Sequence, residues 1–204
     1  MSERNMWELE QRYFDQGIRL VCGVDEAGRG PLAGPVCAAA VILPANLEIP
    51  GLDDSKKLSD KRRRSLFPVI KEQAIAYAIA FADQNEIDDI NILQATLLAM
   101  ERAINSLAVR PEVALIDGNR DKDFGLPSET VIQGDSRSAS IAAASILAKV
   151  TRDDYMHKMA TEYPQYGFEI HTGYGTKAHY EALEKYGPSP IHRTTFLKKI
   201  YGTK

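Results

Sequence analysis

The sequence predicts an α/β fold, a mixed sheet flanked by helices, and three observations carry this. Two apolar runs of strand length come first, Leu20 to Val24 and Val36 to Leu43, joined by turn residues. After them strand-like and helix-like segments alternate, the order that places helices on the faces of a sheet. A long helical run near the end carries a stripe of small residues, the surface that lets a helix lie close on a sheet.

The elements follow in order. Leu20 to Val24 ends on Asp25-Glu26, and the Gly/Pro-rich stretch Gly28 to Pro35 turns the chain into Val36 to Leu43. Two such runs read as adjacent strands. Ser59 is placed to cap a helix reaching to about Gln73. Ala74 to Ala82 alternates in part through Ile75, Tyr77, Ile79 and Phe81, the strand period. Ile92, Leu93, Leu97, Met100, Ile104 and Leu107 recur at helical spacing. Val113 to Ile116 is a compact strand stopping at Asp117-Gly118, and Thr130 to Gln133 is a further short one. Ser138 to about Tyr155 reads as a long helix whose stripe is Ala139, Ala142, Ala143, Ser145 and Ala148. Thr176 caps a further helix through Tyr186, stopped by Gly187-Pro188. There is no internal repeat and no linker. Residues 1–204 read as a single domain, with 163–204 as a C-terminal helical extension.

A chain of 204 residues buries enough surface to fold without staples. No apolar run approaches the roughly 20 residues of a bilayer span. The start, Met1 to Arg12, lacks the apolar centre of a signal peptide. A soluble, cytoplasmic protein is expected, with no membrane partner. Cys22 and Cys37 sit in strand-like runs and read as buried free thiols rather than a bridge or a metal site. The net charge of −3 argues against a general nucleic-acid binder. The distribution says more, since basic residues cluster at Lys56-Lys57, at Lys61 to Arg64 and from Arg193 to Lys204. Each cluster also has an ordinary reading as solvated surface. With no heptad seam, a monomer is expected.

The placement of acids is more informative. Asp25 and Glu26 follow one strand, Asp117 closes another, and Asp135 lies between a strand end and the Ala-rich helix. Strand ends are where open α/β sheets build sites. If the first and fourth strands are neighbours, four carboxylates converge on one sheet edge. Their mutual repulsion is relieved by divalent cations, and hard oxygen donors select Mg²⁺ or Mn²⁺. Singly, each acid also reads as a turn residue, a helix cap or plain surface. Spacing alone therefore reaches a candidate metal-dependent phosphoryl-transfer site and no further. Gly28-Arg29-Gly30 follows the acid pair, where glycines let backbone approach a ligand and Arg29 offers a donor fork. It is no dinucleotide fingerprint, because Pro31 and a strand follow it.

At these residues the chain resembles the ribonuclease HII family. The run Gly23 to Val36 (GVDEAGRGPLAGPV) looks like that family's opening signature. The resemblance continues through Asp54-Ser55-Lys56-Lys57-Leu58, Ile116-Asp117-Gly118, Gly134-Asp135, Ser140 to Asp153, Gly173-Tyr174-Gly175-Thr176 and His192-Arg193. It implies a ribonuclease H-like fold and a metal-dependent endonuclease. The substrates it implies are RNA/DNA hybrids and DNA duplexes containing ribonucleotides, cut 5′ of the ribonucleotide to leave 5′-phosphate and 3′-hydroxyl ends. On this resemblance Asp25, Glu26, Asp117 and Asp135 are the catalytic, metal-binding carboxylates for two divalent ions, Mg²⁺ or Mn²⁺. Asp25 and Asp135 would hold the ion that activates water, and Glu26 and Asp117 would complete the site. Gly28, Arg29 and Gly30 would read the ribose 2′-OH, Tyr174 would pack on the sugar beyond the RNA-to-DNA junction, and Ser55 and Lys56 would hold the strand backbone.

The sister type HIII usually lacks the Arg-containing turn and carries an extra N-terminal domain, for which the roughly twenty residues before the first strand are too few. No clear sliding-clamp-binding motif stands in the tail Phe196 to Lys204, so no protein partner is expected. Lys149 and Arg152, three apart on the long helix, can face one side and reach phosphates; a solvated face is the ordinary alternative. His179 reads as surface, and His171 and His192 as packing or phosphate contacts rather than ligands. Three other classes compete, one of them a structural α/β domain with no nucleic-acid role, which leaves the ordered motifs unexplained. A resolvase-type nuclease of the same fold would use the same acids, and a non-catalytic binder of hybrid duplexes would need no complete acid set.

Overall fold

The structure is a computed structural model describing residues 5–120 and 122–202, the side chains of residues 199–201 excepted; residues 1–4 of the polar start and Lys204 of the basic tail lie outside the described residues. In chain order the elements are α1 (Glu8–Phe14), β1 (Val21–Ala27), β2 (Val36–Ile42), α2 (Asp60–Gln73), β3 (Ala76–Ala82), α3 (Gln84–Asn105), β4 (Val113–Asp117), β5 (Ser128–Val131), α4 (Ala139–Glu162), α5 (Phe168–His171), α6 (Lys177–Tyr186) and α7 (Thr194–Tyr201). The five strands form one sheet in the order β3-β2-β1-β4-β5. β1, β2 and β3 pair antiparallel, while β4 lies parallel to β1 and β5 parallel to β4. The expected mixed sheet is therefore present, with β1 at its centre.

Strand alternation sends successive side chains to opposite faces. Cys22 and Val24 of β1 and Ala38 and Ala40 of β2 pack against α3 through Ala95 and Met100. Cys37, Ala39 and Val41 of β2 face the other way, onto Leu66 and Ile70 of α2 and Ala143 and Leu147 of α4. Both cysteines are fully buried and unbridged, and burial pushes the Cys22 thiol up to about 12.

The small-residue stripe does what the sequence suggested. α4 lies so close to β1 that a Cβ added at Gly23 would stand 2.1 Å from the Ser140 carbonyl carbon and 2.2 Å from the Ile141 nitrogen. Both are backbone atoms, so no side chain can swing aside.

Several boundaries differ from the sequence reading, β5 among them, which spans Ser128–Val131 where Thr130 to Gln133 was expected. β1 runs on through Asp25-Glu26 to Ala27, because pairing with β2 continues to the Ala27–Cys37 pair. α4 runs on to Glu162, because Met156, Met159 and Ala160 pack under Tyr166, Phe168 and Leu183. α3 starts at Gln84, where Asp83 and Glu86 form a reciprocal capping box, and is broken at Asn91, whose φ is +67°. No helix among the described residues is long and apolar enough to cross a membrane.

Gly23→Ala is expected to lower the urea-unfolding midpoint, by the about 1–3 kcal/mol of a forced overpacking. An unchanged midpoint would show that α4 can move off the sheet freely.

Candidate active site

The β1–β4 register pairs Val24 with Ile116, which sets Asp25 beside Asp117 on adjacent parallel strands. Both share the parity of Gly23 and so project from the face that α4 covers. Asp117 Oδ1 accepts a hydrogen bond from the Gly134 N–H at 2.7 Å, which fixes the short 3₁₀ turn Gly134–Ser136 and with it Asp135. One carboxylate oxygen from each of Asp25, Asp117 and Asp135 lies within 4.8 Å of the others. Glu26, next along β1, has the opposite parity and lies 3.4 Å from the Arg29 guanidinium. Glu26 faces the same cleft as these acids, where its charge acts on Asp25 and that of Asp117 acts on it.

Charge accumulates where water is excluded. Burial pushes the Asp25 carboxyl well above its ordinary range, and Glu26 and Asp117 push it further. Glu26 is raised by burial, with Arg29 opposing and Asp117 adding. Asp135 is raised by burial and by Asp117, against Lys56. The Lys56 ammonium lies 3.3 Å from Asp135 Oδ2. Burial works against that ammonium, but Asp135 and Asp25 outweigh it and raise its pKa. Clustered hard oxygen donors of like charge are the donor chemistry that Mg²⁺ or Mn²⁺ relieves.

One cleft of about 220 Å³ gathers Asp25, Glu26, Gly28, Arg29, Gly30, Ser55, Lys56, Asp117, Lys149 and Tyr174. Ser55 is buried, its N–H 3.4 Å from Ser145 Oγ on α4. Arg63 donates to the Ser55 and Leu58 carbonyls, so this member of the basic run Lys61 to Arg64 braces the Ser55-Lys56 loop instead of facing water. Lys149 is paired with Asp153 at 2.8 Å at the cleft edge. Tyr174 is 44% exposed, and a Cβ on Gly30 would stand 3.5 Å from its ring.

Arg152 does not reach outward with Lys149. It is fully buried and donates to the carbonyls of Pro35, Ala33 and Thr172, so the phosphate-contact expectation is corrected. It stands directly behind Gly28, whose φ is +98° and where a Cβ would lie 2.0 Å from Arg152 Nε. The sequence reading assigned no role to Arg193, which is also fully buried and donates to the carbonyls of Gly34, Arg29 and Gly28 at 2.9, 2.9 and 2.6 Å. Two guanidiniums thus brace the glycine turn from inside. No local pattern signals this, because the partners are backbone carbonyls far off in sequence. Burial, then Arg152, lowers the Arg193 pKa to about 9.

Glu10 of α1 was missed as well. It is buried and accepts from the Ser138 hydroxyl at 2.5 Å and the Ser140 N–H at 3.0 Å, closing the start of α4 three residues after Asp135. His179 is buried rather than on the surface, because α6 packs that side onto Tyr166 and Phe168.

A family model described as Ribonuclease HII matches residues 22–199. A ribonuclease HII of Caldicellulosiruptor bescii is 51% identical over 98% of this chain and 97% of its own length. One of Dechloromonas aromatica is 58% identical over 88% of this chain and 91% of its own. The crystal structure of ribonuclease H2 from Pyrococcus horikoshii superposes with a TM-score of 0.70 at 31% identity, covering 86% of this chain and 92% of that one.

The raised carboxyls give the metal-free protein a definite pH response. Asp25, Glu26 and Asp135 hold protons more tightly folded than unfolded, so folding takes up protons between the ordinary carboxylate range and their raised values. Their contribution to stability is therefore present at low pH and lost as pH rises through that window. In chelator, Asp25→Asn is expected to raise Tm at pH 8 and to change it little at pH 4. A stabilisation equal at both pH values would contradict the assignment.

Proposed function

The chain belongs to the ribonuclease HII family, a family of hydrolytic ribonuclease H endonucleases that use divalent metal ions, and from that premise we propose its substrate, its site and its products. It cuts the RNA strand of RNA/DNA hybrids and the 5′ side of single ribonucleotides embedded in duplex DNA, leaving 5′-phosphate and 3′-hydroxyl ends. Its task is ribonucleotide removal from DNA.

The observation that carries this reading is one cleft joining the strand acids, the braced glycine turn and Tyr174. Asp25, Asp117 and Asp135 would hold the metal, with Glu26 completing a second position. Two divalent ions held by these carboxylates would supply water activation and stabilisation of the leaving oxygen. The rest is positioning by the chain's own residues. The Gly28-Arg29-Gly30 turn meets the ribose 2′-OH with its backbone fixed in advance, since Arg193 already holds the Gly28 and Arg29 carbonyls. A recognition surface that needs no reorganisation loses less on binding. The Tyr174 ring, against Gly30, fits a deoxyribose and disfavours a sugar with an added hydroxyl. Ser55, Lys56 and Lys149 border the cleft where the strand backbone would pass. A resolvase-type nuclease would share the acids but has no use for a 2′-OH reader, and a non-catalytic binder has no use for clustered buried acids.

With Mg²⁺ or Mn²⁺, a DNA duplex carrying one ribonucleotide is expected to be cut on its 5′ side, and an all-DNA duplex not at all. Asp25→Asn is expected to lower kcat by at least ~10³-fold with the fold intact. Equal cutting of all-DNA would establish the resolvase reading; binding without cutting would establish the binder. Tyr174→Ala is expected to lose the preference for RNA–DNA junctions over continuous hybrids, and a preference left intact would remove Tyr174 from sugar recognition.

A further inference from the structure

Three buried histidines lie behind Tyr174, and the cleavage chemistry uses none of them. His171, His179 and His192 are 8%, 0% and 2% exposed. The His171 and His179 rings stack with centroids 4.6 Å apart, and Phe168 meets His179 edge-on at 5.5 Å. Packing alone would not require their nitrogens to be ordered, yet each ring nitrogen has a partner.

The partners fix the direction of every bond. A backbone N–H can only donate, so the Ser189 N–H at 2.9 Å makes His192 Nδ1 an acceptor. The His192 proton then sits on Nε2, which lies 2.9 Å from His179 Nε2. His179 Nε2 must accept, so its proton sits on Nδ1 and is donated to the Tyr174 carbonyl at 2.9 Å. His171 follows the same logic: the Gly173 N–H donates to Nδ1 at 3.2 Å, and Nε2 donates to the Tyr166 carbonyl at 2.8 Å. The Tyr174 N–H in turn donates to the His171 carbonyl at 2.9 Å. Both sides of the Tyr174 backbone are thereby tied to histidines, and the Gly173 carbonyl accepts from the Leu32 N–H of the glycine turn at 2.8 Å.

We propose that His179, oriented by His192, is a positioning residue for Tyr174: a one-way hydrogen-bond relay from Ser189 to the Tyr174 carbonyl holds the ring against Gly30 and so sets the junction preference. This rests on the reading that Tyr174 contacts the sugar. Burial lowers the pKa of both rings, His192 to about 4, which keeps them in the neutral tautomers that the relay needs.

The test uses the full chain and two substrates, a duplex with an RNA–DNA junction and a continuous hybrid. His179→Phe keeps a ring but removes the donor and is expected to lose about tenfold of the junction preference, mainly through KM, while kcat on the continuous hybrid stays within about twofold. His179→Asn restores an N–H near the Nδ1 position and is expected to recover most of the preference. If His179→Phe keeps the preference that Tyr174→Ala loses, the relay is wrong and the reading of Tyr174 stands. If Tyr174→Ala also keeps it, that reading fails and the inference falls with it. Ring ¹⁵N NMR of the unsubstituted protein gives a check independent of folding in the variants. It should show His179 protonated on Nδ1 and His192 on Nε2 at pH 7; the opposite tautomers, or rapid exchange between them, would overturn the proposal.

Discussion

The approach of α4 to β1 sets the geometry on which the site depends. The two backbones come so close at Gly23 that no side chain fits between them, and this contact determines where the start of α4 falls relative to the strand ends. Asp135 sits in the turn leading into α4, so its distance from Asp25 and Asp117 is a consequence of that packing. The start of the helix is sealed as well as placed. Ser138 Oγ accepts from the Ile141 N–H, Glu10 from the Ser140 N–H, and the Met6 carbonyl from the Ala139 N–H at 2.7 Å. These satisfy donors that a helix start otherwise leaves unpaired. Burial keeps the pKa of Glu10 raised, the cost of using a carboxylate as this plug.

A second constraint acts on the glycine turn. Arg152 from α4 and Arg193 ahead of α7 are both buried and donate to six backbone carbonyls, five of them between Gly28 and Pro35. Burying a charge is costly unless hydrogen bonds compensate it. Here the compensation is the turn itself, so the guanidiniums and the turn order each other. The arrangement also links the C-terminal helices to the cleft, because Arg193 stabilises its charge only when those helices are docked. Asp88 of α3 secures that docking by accepting from Thr194 and Thr195.

The sheet and its acids were legible because strand ends, turn glycines and the alanine stripe are local patterns. The sequence raised β1 and β4 as neighbours only as a condition, and their parallel pairing is what meets it. What was not legible depended on distant partners. Arg152 read as a phosphate contact, since helical spacing says which side a residue can face but not which loop will cover it. His179 read as surface for the same reason. Glu10 lay in a polar helix with no signal beyond an acid in the first turn.

The central claim is that helix packing at Gly23 sets the metal geometry. Calorimetric titration of Mn²⁺ tests it most directly, comparing the unsubstituted protein with Gly23→Ala at a temperature where both are folded. Displacing α4 should move Asp135 away from Asp25 and Asp117, so the variant should bind Mn²⁺ about tenfold more weakly, roughly 1.4 kcal/mol. Equal affinity in a folded Gly23→Ala protein would show that the acids are placed independently of α4, and would contradict the account.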